Sequence, residues 1–316
     1  MERVTFLPRP WIREQELPGD ASSRRYARIW DGDDQTAILV RYPEPIRDQL
    51  DRDLEVQAWC ASKGLRVPVL LDNDLENGWA VHEDFGIDDA ERTLQKTPAG
   101  ERSECGLRLI GPLVCLSQLL PSKLPMWNPP LDAARMRWEL AGFEMWCLRH
   151  CLEVSPSPRS GRWLDDLCSR IEEHPRRVCH RDYHLNNLFL LANGDIGLID
   201  YQDILIGPDT YDAVSLLGER GIPRLLSADH RTEIQGTWAT ATVARPGWEE
   251  RWQWVRIQRG LKALGTFARL TRAGADSYNT WIDALVSELV PELVAVDAPS
   301  ELVDHLLDLS RRRHRE

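Results

Sequence analysis

The sequence lacks the features that mark several large classes of protein. No apolar run approaches the ~18 residues that a membrane-spanning helix needs. The seven cysteines are odd in number and form no C-x-x-C pair. With no signal-peptide pattern either, this predicts reduced thiols in a cytoplasmic protein. The P-loop pattern G-x-x-x-x-G-K-[ST] does not occur, so a P-loop nucleotide site is excluded.

The chain also has no excess of positive charge. Its 39 basic residues face 50 acidic ones, which gives a net charge of −11. This balance argues against a general binder of nucleic acid or of anionic membranes, and no obligate protein partner is evident. Apolar residues make up 42% of the 316 positions, enough for a sizeable core in one large or two moderate domains.

The most informative stretch runs from residue 178 to residue 212. It contains a His-Arg-Asp triplet that ends at Asp182, and Asn187 follows five residues later. Two apolar runs between residues 188 and 199 flank an Asn-Gly pair, which indicates a β-hairpin because such turns need positive φ. The second run ends at Asp200. Two short strands would therefore present three polar groups at their ends.

This arrangement suits phosphoryl transfer. One carboxylate, Asp182, would orient the attacking hydroxyl and take up its proton, whereas Asn187 and Asp200 would hold Mg²⁺ against the phosphates of ATP. The spacing H-R-D-x-x-x-x-N is that of the protein-kinase catalytic loop. No D-F-G or A-P-E triplet follows Asp200, which argues against a regulated activation segment. The alternative is a polar loop with a capping aspartate and an ordinary hairpin.

The segment after Asp200 resembles the aminoglycoside phosphotransferase family. In that family the metal-binding aspartate is followed by a glycine and then by a buried aspartate near a helix start, here Gly207 and Asp212. The resemblance implies an α+β, two-lobed protein-kinase-like fold, with a small antiparallel β-sheet N-lobe and a larger, mainly helical C-lobe. We predict the nucleotide-binding lobe at residues 1–83. The helical lobe, with the catalytic loop and the acceptor site, would span 84–316.

Three stretches are similar to a narrower group, the anomeric N-acetylmuramate/N-acetylglucosamine kinases of bacterial cell-wall recycling. They are the loop L-P-G-D-A-S-S-R-R-Y at 17–26, the segment 200–212, and the late helix Q-R-G-L-K-A-L-G-T-F-A-R-L at 258–270. The resemblance implies transfer of the γ-phosphate of ATP to the C1 hydroxyl of a free amino sugar in peptidoglycan recycling. The region from 221 to 247 matches no segment of that group.

The loop within 17–26 is a candidate for phosphate binding. A hairpin tip of small residues lets backbone N–H groups approach phosphate oxygens closely; an ordinary hairpin tip is the alternative. The candidates here are Gly19, Asp20, Ser22, Ser23 and Arg25.

A second phosphate-binding element is expected from the kinase-like resemblance. In that fold a lysine on the third strand holds the phosphates and pairs with a glutamate on the following helix. Glu55 fits the helix position, but the strand ends in Arg41 instead of lysine, and arginine lacks the compact ammonium geometry. Either Arg41 takes the role, or Arg24, Arg25 or Arg28 reaches the phosphates instead; a plain surface role for Arg41 is the alternative.

The adenine and acceptor sites have weaker signals. Residues 82–86 resemble the hinge that binds adenine through backbone groups, which makes Glu83 and Phe85 candidates; a simple strand end is the alternative. Aromatic faces stack well on sugar rings, and Trp127 and Trp146 fall where this fold lines its acceptor site, although core packing would also explain them. Asp203 could hold a second metal or a sugar hydroxyl, or be structural.

Two other functions remain open at this stage. One is a kinase of another small hydroxylated acceptor of the aminoglycoside type, although Met145 and Cys147 stand where acidic or tyrosine positions would be expected. The other is a nucleotide-binding pseudokinase, for which Arg41 in place of lysine is the motive. The intact Asp182, Asn187 and Asp200 oppose it.

Overall fold

The structure is a computed structural model that describes residues 11–17, 23–218, 222–275 and 278–313. Contacts divide the chain into two compact units, one of Met1–Cys115 with Leu185–Ile204 and one of Leu116–His184 with Leu205–Glu316. These units differ in their bounds from the predicted lobes at 1–83 and 84–316. The lobe division therefore stays a prediction.

Most of the strands lie in the N-terminal part of the described chain, and the elements after the last strand are all helices. The strands are β1 Arg13–Glu16, β2 Arg25–Trp30, β3 Thr36–Arg41, β4 Leu70–Asp74, β5 Trp79–Glu83, β6 Arg176–Cys179, β7 Leu188–Leu190, β8 Ile196–Leu198 and β9 Leu205–Pro208. The helices are α1 Gln49–Ser62, α2 Ala90–Lys96, α3 Arg102–Arg108, α4 Gly111–Gln118, α5 Ala133–Phe143, α6 Pro158–Glu172, α7 Tyr211–Gly218, α8 Ile222–Leu225, α9 Ala228–Ala241, α10 Trp248–Arg272, α11 Asn279–Ala295 and α12 Ser300–Arg313. No helix in the described part of the chain is both long and apolar enough to cross a membrane.

The first unit is built on a five-stranded antiparallel sheet with the order β1-β2-β3-β5-β4. Successive residues of a strand point to opposite faces, and each face of this sheet carries its own apolar cluster. One cluster contains Ile29, Ala37, Leu39 and Val81. The other contains Val40, Tyr42 and Ala80, packed with Leu50 of α1. The sheet therefore has two distinct faces, and strand register decides which side chains share a face.

The predicted hairpin is present in the same unit. β7 pairs antiparallel with β8, and Gly194 in the turn has a φ of 92°, as the Asn-Gly pair indicated. A 3-10 turn at Leu185–Asn187 precedes β7, and another at Tyr201–Asp203 follows β8. Helix α2 packs on β7 and on the first of these turns.

The second unit is organised around α10, which packs on α5, α6, α7 and α11. Helix α5 continues directly into a π-helical segment, Glu144–Cys151. The unassigned region 221–247 contains α8 and α9. Pro291 lies inside α11, although a proline costs about 3 kcal/mol in a helix interior because it lacks an N–H donor. The helix continues past it, and Leu293 in the next turn is buried.

Gly265 allows α5 and α10 to approach closely. A Cβ atom at Gly265 would lie 2.5 Å from the backbone nitrogen of Phe143. Gly265→Ala is therefore expected to force the helices apart and to lower the free energy of unfolding by about 1–3 kcal/mol, measured by chemical denaturation. Gly236→Ala on α9 is the matched control, because a Cβ there meets nothing within 4 Å. An equal or greater stability of Gly265→Ala would contradict the close packing.

Candidate functional site

A pocket of about 350 Å³ lies within the first unit. Its walls come from β2, β3, α1, the segment after β5, and the β7–β8 hairpin. Apolar side chains form much of the lining, namely Ile38, Val40, Pro68, Phe189 and Ile199. Four acidic residues, Asp53, Glu83, Asp84 and Asp200, belong to the same lining. The pocket thus combines flat apolar walls with a small number of charged groups, as ligand sites usually do.

Asn187 and Asp200 both line this pocket. The Ile199 N–H donates a hydrogen bond to the Asn187 carbonyl at 3.0 Å, which ties together the chain segments that carry the two residues. Asp200 has a φ of 59°, in the left-handed region that few residues other than glycine adopt. Asn187 is buried, whereas the Asp200 side chain is 45% exposed. One amide oxygen and one accessible carboxylate at the same pocket fit the oxygen ligands that Mg²⁺ prefers.

The predicted hinge residues also line the pocket. The Glu83 carboxylate accepts hydrogen bonds from Arg66 Nη1 at 2.8 Å and from the Val69 N–H at 3.2 Å. The Arg66 hydrogen bond lowers the pKa of Glu83. The carboxylate is therefore committed to Arg66, which agrees with a hinge that would bind a base through its backbone.

The position of the Phe85 ring depends on a glycine that the sequence analysis did not single out. Its ring lies 5.6 Å from the ring of Phe189 and 4.8 Å from the Arg66 guanidinium. A Cβ at Gly197 of β8 would lie 2.6 Å from the Phe85 ring. A glycine inside a short apolar strand is a signal of close approach, and it could have been used to place an aromatic ring over β8.

Strand register separates Arg41 from the pocket. The pocket is lined by alternate residues of β2 and β3, namely Tyr26, Arg28, Ile38 and Val40. Arg41 is paired across the sheet with Arg25, and residues directly opposite each other share a face. Arg25 and Arg41 therefore belong to the other face, and Arg41 donates two hydrogen bonds to Glu14 at 2.5 and 2.8 Å. The structure does not bring either arginine into the pocket lining.

Helix phase separates Glu55 from the pocket in the same way. The buried face of α1 carries Asp53, Val56, Gln57 and Cys60, at helical spacing, whereas Glu55 is exposed. Asp53 lines the pocket and accepts a hydrogen bond from Arg24 Nη1 at 3.3 Å. Sequence reasoning missed Asp53, although its three-residue spacing to Val56 could have identified it.

The remaining phosphate-loop candidates are only partly described. Gly19, Asp20 and Ser22 lie outside the described residues. Ser23 and Arg25 are described and exposed, and neither lines the pocket.

In the second unit, the loop that carries Asp182 is held by its backbone. Asp212, at the start of α7, accepts hydrogen bonds from the His180 N–H at 2.6 Å and the Arg181 N–H at 2.9 Å. Arg181 has a φ of 80°, a strained conformation for a residue with a side chain. Arg259 of α10 donates to the Arg181 carbonyl at 3.2 Å and to Ser215 Oγ at 2.7 Å. These contacts fix the loop without using the Asp182 side chain.

A buried charge cluster lies beside this loop. Glu139 of α5 accepts from Arg181 at 3.2 Å, from Lys262 at 3.1 Å and from Gln258 at 3.3 Å. Gln258 and Lys262 are four residues apart and therefore share a face of α10. The segment 258–270 stood out in the sequence, but the partners of these side chains lie more than a hundred residues earlier, so no local pattern indicated them.

The charge cluster favours the ionised form of Asp182. Burial alone would raise the pKa of Asp182, but the positive charges of Lys262, Arg181 and Arg259 outweigh burial and hold that pKa below its usual value. The carboxylate is therefore available as a proton acceptor at neutral pH.

The candidates for acceptor binding belong to three different segments of the chain. Trp146 lies in the π-helical segment, half-buried, with its ring 4.9 Å from that of His150. Trp127 is half-buried in the loop before α5. Asp203 ends the 3-10 turn after Asp200 in the first unit and does not line its pocket.

Comparisons with known sequences give a consistent result. The family model described as "Phosphotransferase enzyme family" matches residues 13–257. The N-acetylmuramate/N-acetylglucosamine kinase of Pseudomonas aeruginosa is 34% identical over 263 residues, which cover 79% of this chain and 75% of that protein. The protein of the same name from Neisseria meningitidis serogroup B is 30% identical over 284 residues, with 85% and 82% covered.

Solved structures share the fold at low identity. The choline kinase LicA from Streptococcus pneumoniae has a TM-score of 0.60 at 14% identity, covering 90% of this chain and 94% of that one. An aminoglycoside-3'-phosphotransferase of type VIII has a TM-score of 0.55 at 18% identity, covering 78% and 93%. These similarities bear on the fold alone, and they confirm the predicted α+β kinase-like class.

Proposed function

Because the chain belongs to the phosphotransferase enzyme family, we propose that it transfers the γ-phosphate of ATP to the C1 hydroxyl of N-acetylmuramate or N-acetylglucosamine. The carrying observation is that a chain at least 30% identical to two kinases of that name keeps the complete Asp182, Asn187 and Asp200 set. The proposed setting is the recycling of peptidoglycan sugars in the cytoplasm, with a small amino sugar as the substrate.

The reaction follows from the chemistry of these groups. The C1 oxygen of the sugar attacks the γ-phosphorus, and its proton passes to the Asp182 carboxylate. The new oxygen–phosphorus bond forms as the bond to the β,γ-bridging oxygen breaks, and ADP leaves with that electron pair. An anomeric hydroxyl is more acidic than an ordinary alcohol, so Asp182 needs only to orient it and take the proton late. The low pKa of Asp182 supports this role.

The first-unit pocket supports the nucleotide half of the proposal. Its apolar walls suit a purine ring, and the predicted hinge residues Glu83 and Phe85 are part of its lining. Asn187 and Asp200 would hold Mg²⁺, since the pocket presents both of their side chains. Bound there, the ion would neutralise charge between the phosphates.

The proton-acceptor role predicts a shifted pH profile. Lys262→Met removes the positive charge that contributes most to lowering the pKa of Asp182. The protonated acid is then relatively more stable, so the pKa rises and the acidic limb of the kcat/KM profile moves to higher pH. Lys123→Met, an exposed lysine of the same unit, is the control. An acidic limb that stays in place or moves to lower pH would contradict the assignment.

The proposed reaction is tested directly by its product. Purified protein is incubated with ATP and Mg²⁺ and with N-acetylmuramate, N-acetylglucosamine or kanamycin in parallel, and the phosphorus NMR spectrum is followed. A new phosphomonoester resonance coupled to an anomeric proton is expected with one or both sugars. A product with kanamycin alone would favour an aminoglycoside-type acceptor, and bound ATP with no product would favour the pseudokinase.

The register of the sheet weakens the argument for the pseudokinase alternative. It rested on Arg41 in place of the third-strand lysine. Arg41 belongs to the face opposite the pocket and pairs with Glu14, so an arginine at this position does not argue against nucleotide binding in the pocket.

A further inference from the structure

We propose that Arg24 binds the phosphates of the nucleotide and that Asp53 positions it, so that this pair replaces the strand lysine and helix glutamate expected from the kinase-like resemblance. The proposal rests on the proposed function, because it takes ATP as the occupant of the first-unit pocket. It deepens that function by naming the cation that meets the phosphates.

Few positively charged side chains of the pocket lining are candidates for binding phosphate. Among the described lining residues, the positively charged side chains are Arg24 and Arg28. Arg28 donates to both carboxylate oxygens of Asp84, at 2.5 and 3.0 Å, and to the Gly86 carbonyl at 2.8 Å. Through these three hydrogen bonds, Arg28 holds the segment that contains Asp84 and Gly86. Arg24 is the other positively charged side chain among these lining residues.

The two ends of the Arg24 guanidinium face different carboxylates. Nη1 lies 3.3 Å from Asp53 Oδ2, and Nη2 lies 3.9 Å from Asp200 Oδ1. In the proposed function Asp200 would hold Mg²⁺, which would neutralise charge between the phosphates of ATP. Nη2 is the end of Arg24 that faces Asp200, and it would therefore face the phosphates as well. Arg24 would then exchange its loose contact with Asp200 for a phosphate oxygen, while Nη1 stays on Asp53.

Asp53 is held in place by its burial and by several hydrogen bonds, so it can position Arg24. Its side chain is only 7% exposed, and it accepts hydrogen bonds from Tyr42 Oη at 3.1 Å and from Arg52 at 3.0 Å as well as from Arg24. The Arg24 side chain is itself 14% exposed. A guanidinium held at one end and buried along its stem loses little freedom on binding a phosphate, and arginine stays charged at every working pH.

The sheet phase agrees with this assignment. Arg24 immediately precedes β2, and Tyr26 and Arg28 of that strand line the same pocket. Side chains two residues apart share a face, so Arg24 continues the pocket-facing row. Arg25, the neighbouring arginine of the same Arg-Arg pair, begins the opposite row.

The test measures nucleotide affinity by isothermal titration calorimetry on the full chain, with Mg²⁺ and ATP, ADP or adenosine. Arg24→Gln is expected to weaken ATP binding by about 10- to 100-fold, the effect of one charge-assisted contact, and to leave adenosine binding unchanged. Arg24→Lys should fall between, since it keeps the charge without the two-ended geometry. Arg13→Gln, an exposed arginine of the same sheet that pairs with Asp34, is the matched control.

Asp53 is tested by non-additivity. Asp53→Asn alone should weaken ATP binding, whereas Asp53→Asn should add little further loss in an Arg24→Gln background, because it acts through Arg24. A merely structural role would lower affinity equally in both backgrounds and would also weaken adenosine binding. If Arg24→Gln does not fold, as judged by circular dichroism, Arg24→Lys and Asp53→Asn carry the test.

The outcomes separate this inference from the proposed function. Wild-type binding of ATP with an unchanged affinity in Arg24→Gln would overturn the inference and leave the function standing. A larger loss in Arg41→Gln than in Arg24→Gln would return the role to Arg41. A wild-type chain that binds no ATP in the presence of Mg²⁺ would overturn both.

Discussion

Replacement of Asp182 with asparagine is expected to lower kcat by about 10²- to 10⁴-fold, the usual contribution of a general base. Asparagine keeps the shape and one acceptor oxygen but cannot take a proton from the sugar hydroxyl. The loop itself should be preserved, because Asp212 and Arg259 hold it through the backbone of residues 180 and 181. The measurement is a coupled assay of ADP release at saturating ATP and sugar.

The affinity for ATP separates this effect from general damage. Asp182→Asn should bind ATP as the wild type does, since the pocket proposed for the nucleotide is lined by residues of the first unit and Asp182 belongs to the second. Asp166→Asn, on the exposed surface of α6, is the matched control and should keep full activity. A near-normal kcat in Asp182→Asn would remove Asp182 from its proposed role.

Replacement of Asp200 with alanine should have the second large effect. The variant is expected to lose the gain in ATP affinity that Mg²⁺ provides, and its turnover should fall by about 10³-fold, which corresponds to several kcal/mol of transition-state stabilisation. Asp200 is the charged one of the two proposed metal ligands. Without it, Asn187 would supply only a neutral amide oxygen, which binds Mg²⁺ more weakly than a carboxylate does.

The comparison of ATP binding with and without Mg²⁺ makes this prediction specific. Without the ion, Asp200→Ala should bind ATP no more weakly than the wild type, because the carboxylate that lies 3.9 Å from Arg24 no longer competes with phosphate. Asp195→Ala, at the exposed tip of the same hairpin, is the control. A Mg²⁺-dependent gain that survives in Asp200→Ala would show that another group holds the metal.

Short-range patterns predicted much of this molecule. The Asn-Gly pair placed the hairpin, and the spacing from Asp182 to Asn187 and Asp200 selected phosphoryl transfer. The motifs at 17–26, 200–212 and 258–270 identified a family resemblance that the relatives confirm. Each of these signals depends on residues that are close in sequence, where backbone preferences and side-chain chemistry act without help from the rest of the chain.

Long-range contacts decided what those patterns left open. In the sequence, Arg41 stands at the end of the third strand, where the kinase-like fold has a lysine. The pairing of β2 with β3 places Arg41 on the face of the sheet away from the pocket, because neighbouring residues of a strand point to opposite faces. In α1, Asp53 is buried and Glu55 is exposed because the apolar face follows Leu50 and Val56.

By itself, the sequence determined the hairpin and the order of the candidate catalytic groups, because those follow from local spacing. The fold class came from the motifs that resemble the family, and the comparisons confirm it. Only the tertiary structure selected Arg24 and Asp53 among the charged residues of the first unit. Only the tertiary structure brought Glu139 together with Arg181 and Lys262. The physical reason is that burial and charge pairing depend on which faces meet, and a face is defined by strand register and helix packing across distant parts of the chain.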